Sequence, residues 1–152
     1  MENFKLWIDA DACPREAKEL VFKSAARLQI NVHLVANAFM SIPISPLIHF
    51  VHVDQGADIA DKYIVDHVAP NDLVITADIP LAAKVIEKNA LVITPRGEVF
   101  DEENISERLS MRDFMSNLRD EGMQTGGPAP YGANDRQQFA NCLNKILTQV
   151  LK

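Results

Sequence analysis

The chain has 152 residues, of which 47% are hydrophobic, and 15 Lys+Arg stand against 21 Asp+Glu, so the formal net charge is −6. This size and composition suit one globular domain with a sizeable core, and they exclude disordered and fibrous proteins. The acidic excess also argues against a protein that holds nucleic acid through bulk positive charge alone.

Strand and helix patterns alternate along residues 5–94. Short apolar runs predict strands at 5–8, 32–36, 48–53, 72–77 and 90–94, and helical spacing of apolar residues predicts helices at 14–29, 58–68 and 80–89. The strands are almost continuously apolar, as in sheets that are buried on both faces. The sequence therefore predicts an α/β fold of three layers, with helices covering a mainly parallel sheet of about five strands.

The remaining residues predict two further helices. An amphipathic pattern covers 104–120, and Asn134 or Asp135 is expected to cap a last helix that continues through Val150. Between them, 125–132 is rich in Gly and Pro and predicts an irregular loop. Because no repeat or linker is visible, we expect residues 1–152 to form a single domain, with helices 104–120 and 135–150 as a C-terminal extension.

The cysteines and the absence of long apolar runs indicate a cytoplasmic protein. No apolar run reaches the ~18 residues that a membrane span requires, and no secretory signal is visible at the start. Cys13 and Cys142 are too few for a disulfide framework. Cys13 precedes a helix N-terminus, where a thiol can become reactive, but no arginine follows to hold an anion, so a buried small residue is favoured.

Aspartates recur where the predicted strands end. Ligands bind beyond the carboxyl ends of the strands in an open parallel sheet, so these side chains would meet in one crevice. The recurring acids are Asp9, Asp11, Asp54, Asp58, Asp61 and Asp78. Asp58 and Asp61 are three residues apart and share one helix face. Capping alone would explain Asp11 and Asp58, whereas acids at three strand ends exceed what capping requires.

Converging carboxylates repel one another, and either protonation or a bound divalent cation relieves that repulsion. Oxygen ligands suit Mg²⁺ or Mn²⁺, and such ions activate water and stabilise displacement at phosphorus. A second anion-binding element is the loop that contains Thr125, Gly126 and Gly127, with Arg136 close behind it. A plain connection between two helices explains that loop equally well.

Several motifs taken together resemble the bacterial YaiI/YqxD family, nearly from end to end. The motifs are Asp9-Ala10-Asp11-Ala12-Cys13-Pro14, Asp54-Gln55-Gly56-Ala57-Asp58-Ile59-Ala60-Asp61, Asp72-Leu73-Val74-Ile75-Thr76-Ala77-Asp78-Ile79-Pro80-Leu81-Ala82, and Thr125-Gly126-Gly127-Pro128 with Asp135-Arg136-Gln137-Gln138-Phe139. That family is similar to PIN-like nucleases, so the resemblance implies a PIN-like, Rossmann-like domain. The glycine loop has no counterpart in a minimal PIN domain.

The PIN-like resemblance implies a site and a reaction. It implies that Mg²⁺ or Mn²⁺ is bound by Asp9, by Asp58 or Asp61, and by Asp78, and that a metal-bound water attacks a phosphodiester of RNA. The expected partner is single-stranded RNA. The candidate catalytic residues are Asp9, Asp11 and Asp78. The expected substrate contacts are Thr76, Thr125, Gly126, Gly127 and Arg136. Asp11 and Asp54 depart from the plain PIN pattern and would add ligands, give supporting contacts or signal different chemistry.

Two alternatives remain open from the sequence. The Asp-x-Asp spacing also fits a phosphatase or phosphotransferase that uses Asp9 as nucleophile and Asp11 as acid/base. Such an enzyme also requires a lysine at the phosphoryl group, which the sequence does not locate. The other alternative is a protein without catalysis that binds a nucleic acid or protein partner.

Overall fold

The computed structural model describes residues 4–56, 58–122 and 130–151. The strands are β1 (Lys5–Asp9), β2 (Asn31–Ala36), β3 (Ile48–His52), β4 (Leu73–Ile75), β5 (Leu91–Ile93) and β6 (Val99–Phe100). The helices are α1 (Arg15–Leu28), α2 (Ile59–His67), α3 (Ile79–Glu87), α4 (Ile105–Asp120) and α5 (Ala133–Val150), and a 3-10 turn (Ala10–Ala12) follows β1. The predicted alternation of strands and helices is therefore confirmed.

The strands form one sheet in the order β3-β2-β1-β4-β5-β6. The first five strands are mutually parallel, and β6 alone runs antiparallel, beside β5. The prediction of a mainly parallel sheet is confirmed, although it contains six strands where about five were expected. The short β6 was missed because two residues after a Pro-Arg-Gly turn carry too little periodicity to indicate a strand.

Helices cover both faces of the sheet and complete three layers. On one face, alternate residues such as Leu34 and Ile75 pack with α1 and with Phe139 and Leu143 of α5. On the other face, Trp7, Val74 and their neighbours pack with α2, α3 and the start of α4. The helix predicted at 135–150 therefore closes the main core, because its apolar stripe is buried against the sheet.

The chain order creates a crevice at the carboxyl edge of the sheet. From β1 the chain continues to β2 on one side, and it returns to β4 on the other side. This reversal is a topological switch point, where the connections that leave two adjacent strands diverge and open a cleft. Asp9 ends β1 and Thr76 follows β4, so both residues lie at the mouth of that cleft.

Within the described parts of the chain, no helix is long and apolar enough to cross a membrane.

Candidate functional site

Asp9 and Thr76 are joined across the switch point. Asp9 is only 8% exposed, and its Oδ2 accepts a hydrogen bond of 2.9 Å from Oγ1 of Thr76. The same Oγ1 accepts a hydrogen bond of 3.0 Å from the backbone N–H of Asp78. Thr76 was expected to contact substrate, but it is 2% exposed and its hydroxyl is used inside the protein. It holds the ends of β1 and β4 together.

Asp78 lies at the N-terminus of α3 and caps it. Its Oδ1 accepts a hydrogen bond of 3.0 Å from the backbone N–H of Leu81, and Pro80 lies in the first turn. Asp at the N-cap followed by Pro is a favoured start of a helix, so the local sequence accounts for this geometry. The cap fixes the carboxyl group of Asp78, whose second oxygen is not used in capping.

Asp61, in the first turn of α2, lies opposite Asp78. The two carboxyl groups are hydrogen-bonded to each other, and the pKa of Asp61 is raised to about 7. Burial is the largest cause, followed by the negative charges of Asp78, Asp9 and Asp58. Asp61 therefore retains a proton over much of the range in which an ordinary carboxyl group has lost it.

The pKa of Asp9 is also raised. Burial is the largest cause, the hydrogen bond from Thr76 opposes it, and the charges of Asp78 and Asp11 add to it. Three carboxyl groups from three elements, those of Asp9, Asp61 and Asp78, thus influence one another in the crevice. When these groups are ionised, their negative charges give the crevice a negative potential, which favours a bound cation.

Asp58, Asp11 and Asp54 lie farther out. Asp58 precedes α2 in a left-handed conformation (φ 66°), is exposed and makes no side-chain capping bond, so it sits at the rim. Asp54 is exposed in the loop after β3. Asp11 accepts hydrogen bonds from the backbone N–H groups of Asn37 (2.8 Å) and Ala38 (3.3 Å). Its carboxylate therefore anchors the loop that follows β2.

The carboxyl groups of the crevice are not arranged as a ready-made metal site. Among residues 4–56, 58–122 and 130–151, no three His, Cys, Asp or Glu side chains are arranged so that they could hold a metal ion. The carboxyl groups of the crevice already have partners within the protein. Asp9 accepts a hydrogen bond from Thr76, Asp78 caps α3, and Asp61 shares a hydrogen bond with Asp78. The chemistry of the donors nevertheless fits a hard cation, since all three are carboxyl groups, and the pKa values of Asp9 and Asp61 are raised by burial and by the neighbouring negative charges.

The predicted anion-binding loop is only partly described. Thr125, Gly126 and Gly127 lie outside the described residues. Arg136 is exposed in the first turn of α5, while its neighbour Asp135 pairs with Arg96 at 3.0 Å and accepts from the N–H of Gly132 at 3.0 Å. These contacts place the start of α5 beside the turn after β5, two strands along the carboxyl edge from β1.

Cys13 and one further carboxylate, that of Asp72, are structural. Cys13 is 7% exposed, and burial raises its pKa to about 12, so the interpretation of Cys13 as a buried small residue is confirmed. Asp72 lies at the opposite edge of the sheet, where it accepts hydrogen bonds from Nε1 of Trp7 (3.0 Å) and from backbone N–H groups of Lys5 and Ala69. Its place at the start of β4 distinguishes it from the acids that follow strands.

Comparison with known proteins finds close relatives over the whole chain. Residues 7–149 match the family described as "Uncharacterized BCR, YaiI/YqxD family". A UPF0178 protein of Shewanella sp. (strain MR-7) is 54% identical over 150 residues, covering 99% of each chain. A UPF0178 protein of Geobacter sulfurreducens is 50% identical over 149 residues, covering 97% of this chain and 99% of the relative.

A solved structure is also similar, at lower identity. It is the homospermidine synthase of Legionella pneumophila in complex with NAD, with a TM-score of 0.49 and 14% sequence identity. The match covers 93% of this chain, which spans only 38% of that structure.

Proposed function

The chain belongs to the YaiI/YqxD family, and from that premise we propose that it is a divalent-metal-dependent nuclease that hydrolyses phosphodiesters of RNA. The observation that carries the proposal is the carboxyl group of Asp61, which faces Asp78 and Asp9 at the switch point and has its pKa raised to about 7. A carboxyl group so placed is destabilised by like charges, and a cation in the same crevice would remove that cost.

The residues that would hold Mg²⁺ or Mn²⁺ are Asp9, Asp61 and Asp78, with Asp58 at the rim. This set matches the pattern of PIN-like nucleases, in which acids follow the first strand, lie on a middle helix and follow a Thr-x-Asp strand end. When bound, such an ion supplies an activated water and neutralises charge on the phosphate.

The protein's own groups prepare that site in three ways. The hydroxyl of Thr76 holds one oxygen of Asp9 and so orients its carboxylate. The α3 cap holds one oxygen of Asp78, which leaves the other toward Asp61. Asp61 releases its proton before it can act as a ligand, because only a deprotonated carboxylate binds a hard cation well. We therefore expect binding and cleavage to strengthen as the pH rises through about 7.

The acidic composition is compatible with this proposal. Five of the aspartates lie in or beside the crevice: Asp9, Asp11, Asp58, Asp61 and Asp78. Their charge is therefore local, and bound cations would offset much of it. RNA binding should accordingly be weak when the metal is removed and should depend on a few local basic contacts.

The observations favour hydrolysis with bound metal over a phosphatase reaction on Asp9. A nucleophilic Asp9 would need an accessible oxygen, yet the residue is 8% exposed and one of its oxygens is bonded to Thr76. Asp11, the acid/base in that alternative, is occupied by the amides of Asn37 and Ala38.

The test is cleavage of an end-labelled single-stranded RNA by the purified chain with Mn²⁺, with Mg²⁺ or with EDTA. We expect cleavage only with metal, and loss of cleavage in Asp61→Asn and Asp78→Asn. Asp54→Asn is the matched control, because Asp54 is an exposed carboxylate in the loop after β3, outside the crevice. Absence of metal-dependent cleavage would overturn the proposal, and so would absence of Mn²⁺ binding by calorimetry.

A further inference from the structure

An exposed aromatic side chain lies at the same edge of the sheet as the carboxylates. Phe39, in the loop after β2, is 79% exposed. Its ring stacks on the imidazole of His52 at the end of β3, with centroids 4.1 Å apart and planes 14° from parallel. An exposed hydrophobic side chain is not unusual by itself, but a ring stacked in a fixed orientation offers a flat face to an aromatic ligand.

Phe50 and a hydrogen bond of His52 hold the stacked rings of Phe39 and His52 in place. Phe50, two residues before His52 on the same face of β3, packs against the core and lies 5.9 Å from Phe39. His52 donates from Nε2 to the backbone oxygen of Asn37 at 3.1 Å. The ring of Phe39 is therefore pre-oriented, which lowers the entropy lost when a partner stacks on it.

The loop that carries Phe39 is tied to the proposed cleavage site. Asp11 accepts hydrogen bonds from the amides of Asn37 and Ala38, and Asp11 is only two residues beyond Asp9. β3 lies two strands from β1, a distance of about 10 Å at ordinary strand spacing. Trp7, two residues before Asp9, packs on the α2 and α3 face, and Phe50, two residues before His52, packs on the α1 face. Because side chains alternate along a strand, Asp9 and His52 lie on opposite faces of the same edge, and a ligand that crosses this edge would reach both.

Lys18 supplies a positive charge close to the loop that carries Phe39. Nζ of Lys18, in the second turn of α1, contacts Sδ of Met40 at 3.5 Å, and Met40 is the residue after Phe39. A thioether is a weak acceptor, and among the described residues Lys18 has no carboxylate partner. Its charge is therefore available to a phosphate.

We propose that Phe39, stacked on His52, is a stacking site for an unpaired base of single-stranded RNA, next to the phosphodiester that would be cleaved at the proposed site of Asp9, Asp61 and Asp78. This inference rests on the proposed function and adds a binding site for a base, which requires a single strand because only unpaired bases offer a free face. Lys18 binds a phosphate of the same strand.

The experiment compares two probes by fluorescence anisotropy in EDTA at low ionic strength, where no metal-dependent cleavage occurs. One probe is a labelled oligouridylate, and the other is the same strand with every base replaced by an abasic site. The ratio of the two Kd values isolates the contribution of the bases, because both strands carry the same phosphates. A readout of this kind does not respond to a general loss of charge attraction.

We expect the wild-type chain to bind oligouridylate more tightly than the abasic strand, and Phe39→Leu to reduce that preference by about five- to a hundredfold. Phe39→Trp should keep it, because an indole also stacks. Phe114→Leu is the matched control, since Phe114 is 57% exposed on α4, away from the stack. An unchanged preference in Phe39→Leu, as expected if a protein partner covers the ring, or an equal loss in Phe114→Leu, would overturn the proposal.

The two proposals fail separately. If Phe39→Leu keeps the base preference while Asp61→Asn abolishes cleavage, the stacking site is wrong and the nuclease stands. If Phe39→Leu loses the base preference but the wild-type chain cleaves nothing with Mn²⁺, the chain binds single strands at Phe39 and the proposed hydrolysis is wrong.

Discussion

Thr76 donates its hydroxyl hydrogen to Oδ2 of Asp9 at 2.9 Å, across the point where the sheet changes direction. Both side chains are buried, so neither group finds water as a substitute partner. The bond lowers the pKa of Asp9 against the opposing effect of burial. One threonine thereby sets the position and the proton affinity of the most buried acid in the proposed site.

Removal of that hydroxyl should destabilise the protein and raise the pKa of Asp9. Thr76→Val keeps the shape but leaves the buried carboxylate and the N–H of Asp78 without a partner, so we expect a loss of about 1–3 kcal/mol in the free energy of unfolding. Urea denaturation measures it. Thr76→Ser retains the hydroxyl and should restore most of the stability; equal losses in both variants would show that the methyl group, and not the hydrogen bond, matters.

Asp61 should make the metal-free protein less stable as the pH rises. The pKa of Asp61 is about 7 in the folded chain against an ordinary 3.8, so the folded state binds more protons between these values. Its contribution is therefore fully present below pH 3.8 and is lost as the pH rises through about 7. Urea titrations in EDTA should show a flatter pH dependence in Asp61→Asn than in Asp54→Asn, and the same slope in both would contradict the assignment.

Metal binding should reverse that loss. A cation replaces the proton on Asp61, so Mn²⁺ should raise the Tm more at about pH 8 than at about pH 5. Thermal unfolding with and without Mn²⁺ measures the shift, which should be small in Asp78→Asn. A Tm shift that is the same at both pH values would mean that the ion binds elsewhere.

Asp11 should act on the loop of Phe39 and not on the reacting atoms. Asp11→Ala removes the acceptors of the Asn37 and Ala38 amides, so these two amides should exchange with solvent faster, as hydrogen exchange measures. Asp11→Asn retains one acceptor oxygen and should give an intermediate result. Complete loss of cleavage in Asp11→Asn, with unchanged amide exchange, would instead support a catalytic Asp11.

Gly97 should tolerate a methyl group much less well than Gly122. Both have positive φ, 86° and 85°, so alanine costs about 1–2 kcal/mol at either position from backbone strain alone. At Gly97 an added Cβ also lies 2.7 Å from the backbone of Gln138 in α5, whereas nothing lies within 4 Å at Gly122. Urea denaturation should show a larger loss for Gly97→Ala; similar losses would mean that α5 moves freely away.

Local patterns predicted most of the architecture. The apolar runs identified the first five strands, and Pro80 and Pro14 marked helix starts because proline suits a first helical turn. The observed strand ends differ from the predicted ones by a few residues where strand pairing ends early. One example is β4, which was predicted at 72–77 and ends at Ile75. β6 escaped because its two residues are held by pairing with β5 and not by a pattern of their own.

The sequence predicted which acids gather at this edge of the sheet, but not which of them interact with one another. Position after a strand is visible in the sequence, and it selected Asp9 and Asp78, whose charges act on each other in the structure. It also selected Asp11, whose carboxylate accepts hydrogen bonds from the loop after β2, and Asp54, which is exposed. Phe39 was overlooked because a lone aromatic residue in a loop carries no pattern until His52, from another strand, is stacked beneath it.

The sequence by itself determined the α/β class, the parallel strands and the edge at which acids gather. Strands that are buried on both faces must be apolar throughout, and parallel strands place all their carboxyl ends at one edge, so both features are visible in the local pattern. Only the tertiary structure decided that Asp61 shares a hydrogen bond with Asp78, that Thr76 binds Asp9 and that Phe39 covers His52. Each of these pairs joins separate elements, and the energy of a charge or a hydrogen bond depends on distance and burial, which sequence spacing does not encode.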